Sequence, residues 1–403
     1  MSETKKLSYR RVVALGFLVY FFSYAMRLDY SASLVSIVSD LDISNKAASA
    51  AVTGSLITYG VGQVICGFIG DKISPIKMIS IAMLGTVAVN ILASLCTDIL
   101  PIAVLWCFNG VFQAMLWPPL CRFVSEQVGS ERYSDAVTLV GLSASMGTIF
   151  VYLFVPIVLK FTVWRAVFRA MSAFGVIMMG VWLYSTRGIV MGKATVKKDK
   201  EKKNISVWGL IALAGLLPIF FIIALQGALR DGIQNWLPSL VNEKFKFDAS
   251  SSVLSTAVLP ILSMTSVLIS NAVYHKIKHE LKTATLFFGI AAIATVPMIM
   301  GDKIPALVVI FSASLISGCM HGVNHMLISV IPKCFSKYGM VSTFSGILNA
   351  FTYVGASIST FGFAAISDSV GWSAVQVSWF IIAVIGCLLC ALKIKSWTAF
   401  IKR

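Results

Sequence analysis

Arg27 stands inside residues 12–38, a run that is otherwise almost wholly apolar. A guanidinium at bilayer depth costs about 2.5–3.5 kcal/mol on insertion scales, so it should face a cavity or a partner rather than lipid. Tyr20 and Tyr24 precede it by seven and four residues, which puts all three side chains on one face of a helix. A permanent cation between two phenols suits recognition of an anion, because the guanidinium fork bonds a phosphate or carboxylate through two parallel hydrogen bonds. The competing reading is a structural arginine paired with Asp29 or with another helix. Asp29 is two residues from Arg27, about 200° around the helix, so it points away from the arginine's face and reads as a counter-ion to another helix, with proton coupling as the alternative.

The second half of the chain repeats the pattern. Arg230 lies in the apolar run 207–241 and, like Arg27, stands 11 residues before the end of its run. From Arg27 to Asp71, in the loop after the next run, is 44 residues, and from Arg230 to His275 in the corresponding loop is 45. Equivalent arginines in two half-chains imply a pair facing each other across a repeat interface, where transporters built from repeats keep their substrate.

The elements that must hold these residues are membrane spans. Of 403 residues 58% are hydrophobic and 12% charged, which excludes an assembly of soluble domains and predicts an all-α polytopic membrane protein. Apolar runs of spanning length are found at about 12–38, 47–69, 78–97, 101–124, 135–160 and 164–186, and again at about 207–241, 249–274, 284–301, 305–331, 341–367 and 371–393. The expected architecture is twelve transmembrane helices in two six-helix bundles, residues 1–186 and 207–403. They are joined by a polar linker, 187–206, that contains KKDKEKK. The net charge of +16 comes from basic residues gathered in alternate loops. By the positive-inside rule this puts both termini and the linker on the cytoplasmic side of a plasma or inner membrane, and it argues for lipid rather than nucleic acid as the partner.

Several features exclude other chemistry. Cys387 and Cys390 form a CxxC inside the last apolar run and read as packing residues. His321 and His325 are one helical turn apart, but no Glu or Cys completes a metal site. His321 reads as a hydrogen-bond donor in a pocket. No GxxxxGK[ST] loop is present, so no nucleotide-driven engine, cofactor or enzymatic constellation is expected, and the energy for transport must come from gradients or exchange. The basic N-terminus followed by an apolar run imitates a signal peptide but reads as an uncleaved first span.

The loop after the second run, GFIGDKISPIK, has Gly67 and Gly70 for close helix approach, Asp71 to cap or pair, and Lys72 and Lys77 as inside anchors. It resembles the gating loop of the major facilitator superfamily, with Gly67, Asp71 and Lys72 in that role. NGVFQAMLWPP at the fourth run, YFFSYAMR at the first, ITYG at the second, RDGIQNWLP at the seventh and NAFTYVG at the eleventh together resemble the organophosphate:inorganic phosphate antiporter family. The resemblance implies that Arg27 and Arg230 bind a substrate phosphate in a site lined by Tyr20, Tyr24, Tyr59, Gln63, Trp117, His321 and Tyr353. The sequence departs from that family at Leu28 and Gln63, where the family carries lysines, and at Ala144, where its glycerol phosphate branch carries a histidine.

The expected function is secondary transport by a monomer of a small organic anion, a phosphorylated sugar or glycerol phosphate exchanged for inorganic phosphate. The alternatives are a proton-coupled symporter of a small carboxylate, suggested by the missing cations and Asp29, and a membrane sugar-phosphate sensor.

Overall fold

The computed structural model describes residues 7–43, 45–191, 206–246, 258–300 and 304–402; the charged KKDKEKK run lies outside them. Every regular element among the described residues is helical. The chain divides into two compact units, one of Met1–Lys197 with Phe335–Ile347 and one of Lys198–Cys334 with Leu348–Arg403.

In the first unit, α1 (Tyr9–Ala32) and the short α2 (Leu34–Leu41) share the first apolar run. They are followed by α3 (Asn45–Lys72), α4 (Pro75–Ala93), α5 (Ile99–Ala114), α6 (Trp117–Gln127), α7 (Tyr133–Phe161) and α8 (Trp164–Thr186). The principal packing pairs are α3 with α5, α1 with α7 and α4 with α8. Their core is aromatic: Tyr30 lies against Trp106 with ring centroids 4.9 Å apart, and Phe168 meets both Trp106 and Trp164. Small residues allow the closest approach. A Cβ on Gly110 of α5 would run into the Ser55 carbonyl and the Thr58 hydroxyl of α3, and Thr58 Oγ1 donates to the Cys107 carbonyl at 2.8 Å. The fourth run breaks at Met115 and Leu116, because Pro118 cannot supply the amide that would carry α5 onward, so Trp117 begins the new helix α6.

In the second unit, α9 (Val207–Ala214) and α10 (Leu217–Phe245) meet at 84°. The single long span expected over 207–241 is therefore broken. Gly215 adopts φ +56° and Pro218 stands in the first turn of α10, which together end one helix and start the next. Then come α11 (Val258–Ile277), α12 (Glu280–Ile299) and α13 (Ala306–Asn324). Beyond α13 the helix loosens into a π-turn, His325–Val330, and tightens into a 3₁₀ segment, Ile331–Tyr338. Last are α14 (Val341–Ser369), whose first turns belong to the first unit, and α15 (Trp372–Ile401). The α12 helix packs on α15 and α13, and α10 packs on α13 and α15.

Among the described residues ten helical stretches, or eleven if the bent α9–α10 pair is one span, are long and apolar enough to cross a membrane. The remaining expected span is represented by α11, and its first part, 249–257, lies outside the described residues. Large apolar side chains such as Leu100, Phe161 and Leu392 are more than 70% exposed, which lipid tolerates and water would not.

Candidate functional site

In the first unit the expected residues of α1, α3 and α6 come together. The Tyr20 ring sits 4.5 Å from Trp117 and 5.3 Å from Tyr24. The Arg27 guanidinium lies over the Tyr24 ring at 4.7 Å and the Tyr59 ring at 5.0 Å. Spacing along α1 stacks Tyr20, Tyr24 and Arg27, the close α3–α5 packing brings in Tyr59, and the α5–α6 break brings in Trp117. The result is a cation held against π faces, each contact contributing about 0.5–2 kcal/mol, with a planar fork whose edge can receive an anion. Gln63, one turn beyond Tyr59 on α3, is fully buried.

Asp29 lies apart from this wall. Its carboxyl is fully buried, Oδ1 accepts from the Tyr30 amide at 2.8 Å, and Oδ2 meets no donor among the described residues. The expected ion pair with another helix is not formed there. The neighbours of Asp29 on α1, Met26 and Tyr30, belong to the buried apolar core of the unit.

In the second unit Arg230 is anchored on α10. Nε donates to Asp231 Oδ1 at 2.6 Å, a terminal nitrogen donates to Asp231 Oδ2 at 2.9 Å, and the other donates to Asn324 Oδ1 of α13 at 3.1 Å. The arginine is 13% exposed and the aspartate 23%. Gln226 Nε2 donates to the Met320 carbonyl at 3.2 Å and ties the same two helices one turn earlier. His321 lies one turn before Asn324 on α13, partly buried, within electrostatic reach of both Arg230 and Asp231. Tyr353 on α14 follows Thr352, whose backbone abuts Gly227, and Gly355 abuts Ala224, so α14 and α10 touch backbone to backbone three residues before Arg230. Asp231 and Asn324 are thus the hydrogen-bond partners of Arg230. The sequence places both nearby, Asp231 as the acid next to the arginine and Asn324 beside the two histidines, but it does not pair them with Arg230, since adjacent residues on a helix diverge by about 100°.

The gating-loop residues also find partners within the first unit. Asp71 caps the start of α14: Oδ1 accepts from the Ser342 amide at 3.0 Å and Oδ2 from the Thr343 amide at 2.7 Å. Gly67 is required there, since a Cβ would lie 2.9 Å from the Ser342 carbonyl oxygen. Buried Arg122 donates to the Gly70 and Ile73 carbonyls at 2.6 and 2.8 Å and pairs with Glu126 at 2.6 Å, which fixes the end of α3. Lys72 is exposed. No cluster of potential metal ligands is present among the described residues.

Two helical units whose helices are long and apolar enough to cross a membrane, each with an arginine within such a helix, are those of a polytopic membrane protein. The sequence matches the Major Facilitator Superfamily over residues 13–360, and the chain belongs to that family. Among curated proteins it is similar to a probable hexose phosphate transport protein of Chlamydia pneumoniae, 23% identical over 41% of this chain. That match spans 36% of the relative's length, about a third. A membrane sensor protein, UhpC, of Salmonella typhimurium is 21% identical over 89% of this chain and 85% of its own. Among solved structures, FucP in the outward conformation aligns with a TM-score of 0.76 at 13% identity, covering 96% of this chain and 99% of its own. A bacterial homologue of the iron transporter ferroportin aligns at TM-score 0.71 and 9% identity, covering 98% of this chain and 100% of its own. At these identities the likeness is one of fold.

Proposed function

We propose that this chain carries a small phosphorylated organic anion, a sugar phosphate or glycerol phosphate, and exchanges it for inorganic phosphate by alternating access. The observation that carries this reading is the presentation of both arginines. Arg27 is braced by two aromatic rings, and Arg230 holds a carboxylate through two parallel bonds, the geometry in which guanidinium receives a phosphate. The similarity to hexose phosphate transport proteins supports the substrate class. On this reading Tyr20, Tyr24, Tyr59, Gln63, Trp117, His321 and Tyr353 shape the site around the anion. Asp71 and its loop govern gating, and the protein acts as a monomer in the cell membrane with both termini inside.

The test is reconstitution into vesicles loaded with inorganic phosphate. Labelled phosphate uptake should be fast, inhibited by one external ester, and lost in Arg27→Ala and in Arg230→Ala. A folded preparation that exchanges no phosphate sinks the reading.

Two further readings each have an observation behind them. The buried carboxyl of Asp29, with an oxygen that meets no donor among the described residues, favours proton-coupled symport of a carboxylate, and uptake driven by a pH gradient without internal anion would select it. The near full-length similarity to the Salmonella sensor protein favours a sugar-phosphate sensor, which would bind an ester without turning over.

A further inference from the structure

We propose that Asp231 is the built-in counter-ion of Arg230 that allows the unloaded carrier to return, so that the chain catalyses net anion movement as well as exchange. The proposal rests on Arg230 being an anion-binding group, as above.

A carrier is confined to exchange when its empty form must take an uncompensated buried cation through the transition, since that charge is heavily penalised in a low dielectric. Here the fork is already filled. Arg230 donates from Nε and a terminal nitrogen to the two oxygens of Asp231, at 2.6 and 2.9 Å, and from its other terminal nitrogen to Asn324 at 3.1 Å. Asp231 therefore occupies the two donors a substrate anion needs, and loading is a swap: the anion takes Nε and its companion, and the carboxylate turns out.

The placement of the pair gives the swap its consequence. Both partners belong to one helix, α10, and the third ligand comes from α13, which Gln226 holds to α10 one turn away. A movement that carries these helices as a body leaves the pair intact, so Arg230 is neutralised in the empty carrier whichever way it faces. His321 on α13 is the titratable neighbour, α14 offers Phe363 and Ser359 beside Gly232, and α15 engages Glu243 and Lys244 further along α10 through Trp372 and Gln376. Arg27, meanwhile, rests against the Tyr24 and Tyr59 rings, which moderates its charge without needing an anion.

The experiment uses the full chain in vesicles loaded with labelled inorganic phosphate, with the membrane potential clamped. Efflux is measured into medium with unlabelled phosphate (exchange) and into phosphate-free medium (net flux). For the wild type, net flux within about tenfold of exchange is expected. In Asp231→Asn, exchange should persist while the ratio of net flux to exchange falls at least tenfold; Asp231→Glu should keep a ratio within threefold of the wild type. Three outcomes would overturn the proposal: a wild type that exchanges but shows no net flux, an Asp231→Asn variant with an unchanged ratio, or one that loses exchange as well. Exchange that survives in Arg230→Gln would instead overturn the reading of Arg230 as the anion site.

Discussion

Replacing Arg230 by lysine separates charge from geometry. In the structure three guanidinium nitrogens are each given an acceptor: Asp231 Oδ1, Asp231 Oδ2 and Asn324 Oδ1. A lysine ammonium keeps the positive charge but is a single point, so it can meet one oxygen of a bound anion where the fork meets two. A charge-assisted hydrogen bond contributes about 1.5–3 kcal/mol, and at roughly 1.36 kcal/mol per factor of ten the loss of one such bond predicts a fall in kcat/KM of about ten- to a hundredfold. Both groups are less than a quarter exposed, so solvent screening should not erase the difference. The assay is initial-rate phosphate exchange in vesicles over a range of phosphate concentrations, on preparations matched by gel-filtration profile. An Arg230→Lys carrier that works within threefold of the wild type would show that charge alone suffices, and the bidentate account would be wrong.

Three other outcomes follow from the packing. Asp71→Asn keeps one acceptor for the Ser342 and Thr343 amides and Asp71→Ala keeps none, so thermal stability in detergent should fall in that order, the alanine change costing about 0.5–2 kcal/mol as a lost helix cap; equal melting points would refute the cap. Gly227→Ala places a methyl group against the Thr352 backbone, which cannot move aside like a side chain, so a loss of about 1–3 kcal/mol is expected, and an unaltered melting curve would mean that α10 and α14 are not so close. Asp40 lies outside the spanning helices, and its carboxyl is held below its ordinary value of 3.8 by the Trp164 indole and then by Arg165. Because the folded value is the depressed one, this contribution is present above pH 3.8 and lost as pH falls through the lower folded value. The melting-point gap between the wild type and Asp40→Asn should therefore close on acidification through that window, and a gap independent of pH would rule the contact out.

Much of the fold was legible because lipid imposes a coarse rule: about twenty apolar residues make a span. What the rule misses is local. Residues 207–241 read as one continuous span, yet a single Gly215 at positive φ followed by Pro218 turns the chain by 84°; hydropathy counts apolar side chains and takes no account of backbone conformation. The first-unit wall was legible for a different reason. Helix periodicity fixes Tyr20, Tyr24 and Arg27 on one face, and the structure sets them together with Tyr59 and Trp117. Periodicity cannot say which other helix a face meets, and for those residues the motif resemblance supplied the assignment.

The two acids beside the arginines show where such reading stops. Spacing assigned Asp29 a cation on another helix, but its Oδ2 meets no donor among the described residues. Asp231, one residue from Arg230 and by angle a poor partner, closes a bidentate pair. The difference lies in side-chain reach. Helix angles describe where Cβ leaves the axis, and for a short acid in a packed core that direction is decisive. An arginine has a long aliphatic stem and can bend its head back across the helix surface to an adjacent carboxylate. Sequence patterns therefore locate a buried arginine better than they identify its counter-ion, and in a carrier the counter-ion determines what the empty state costs.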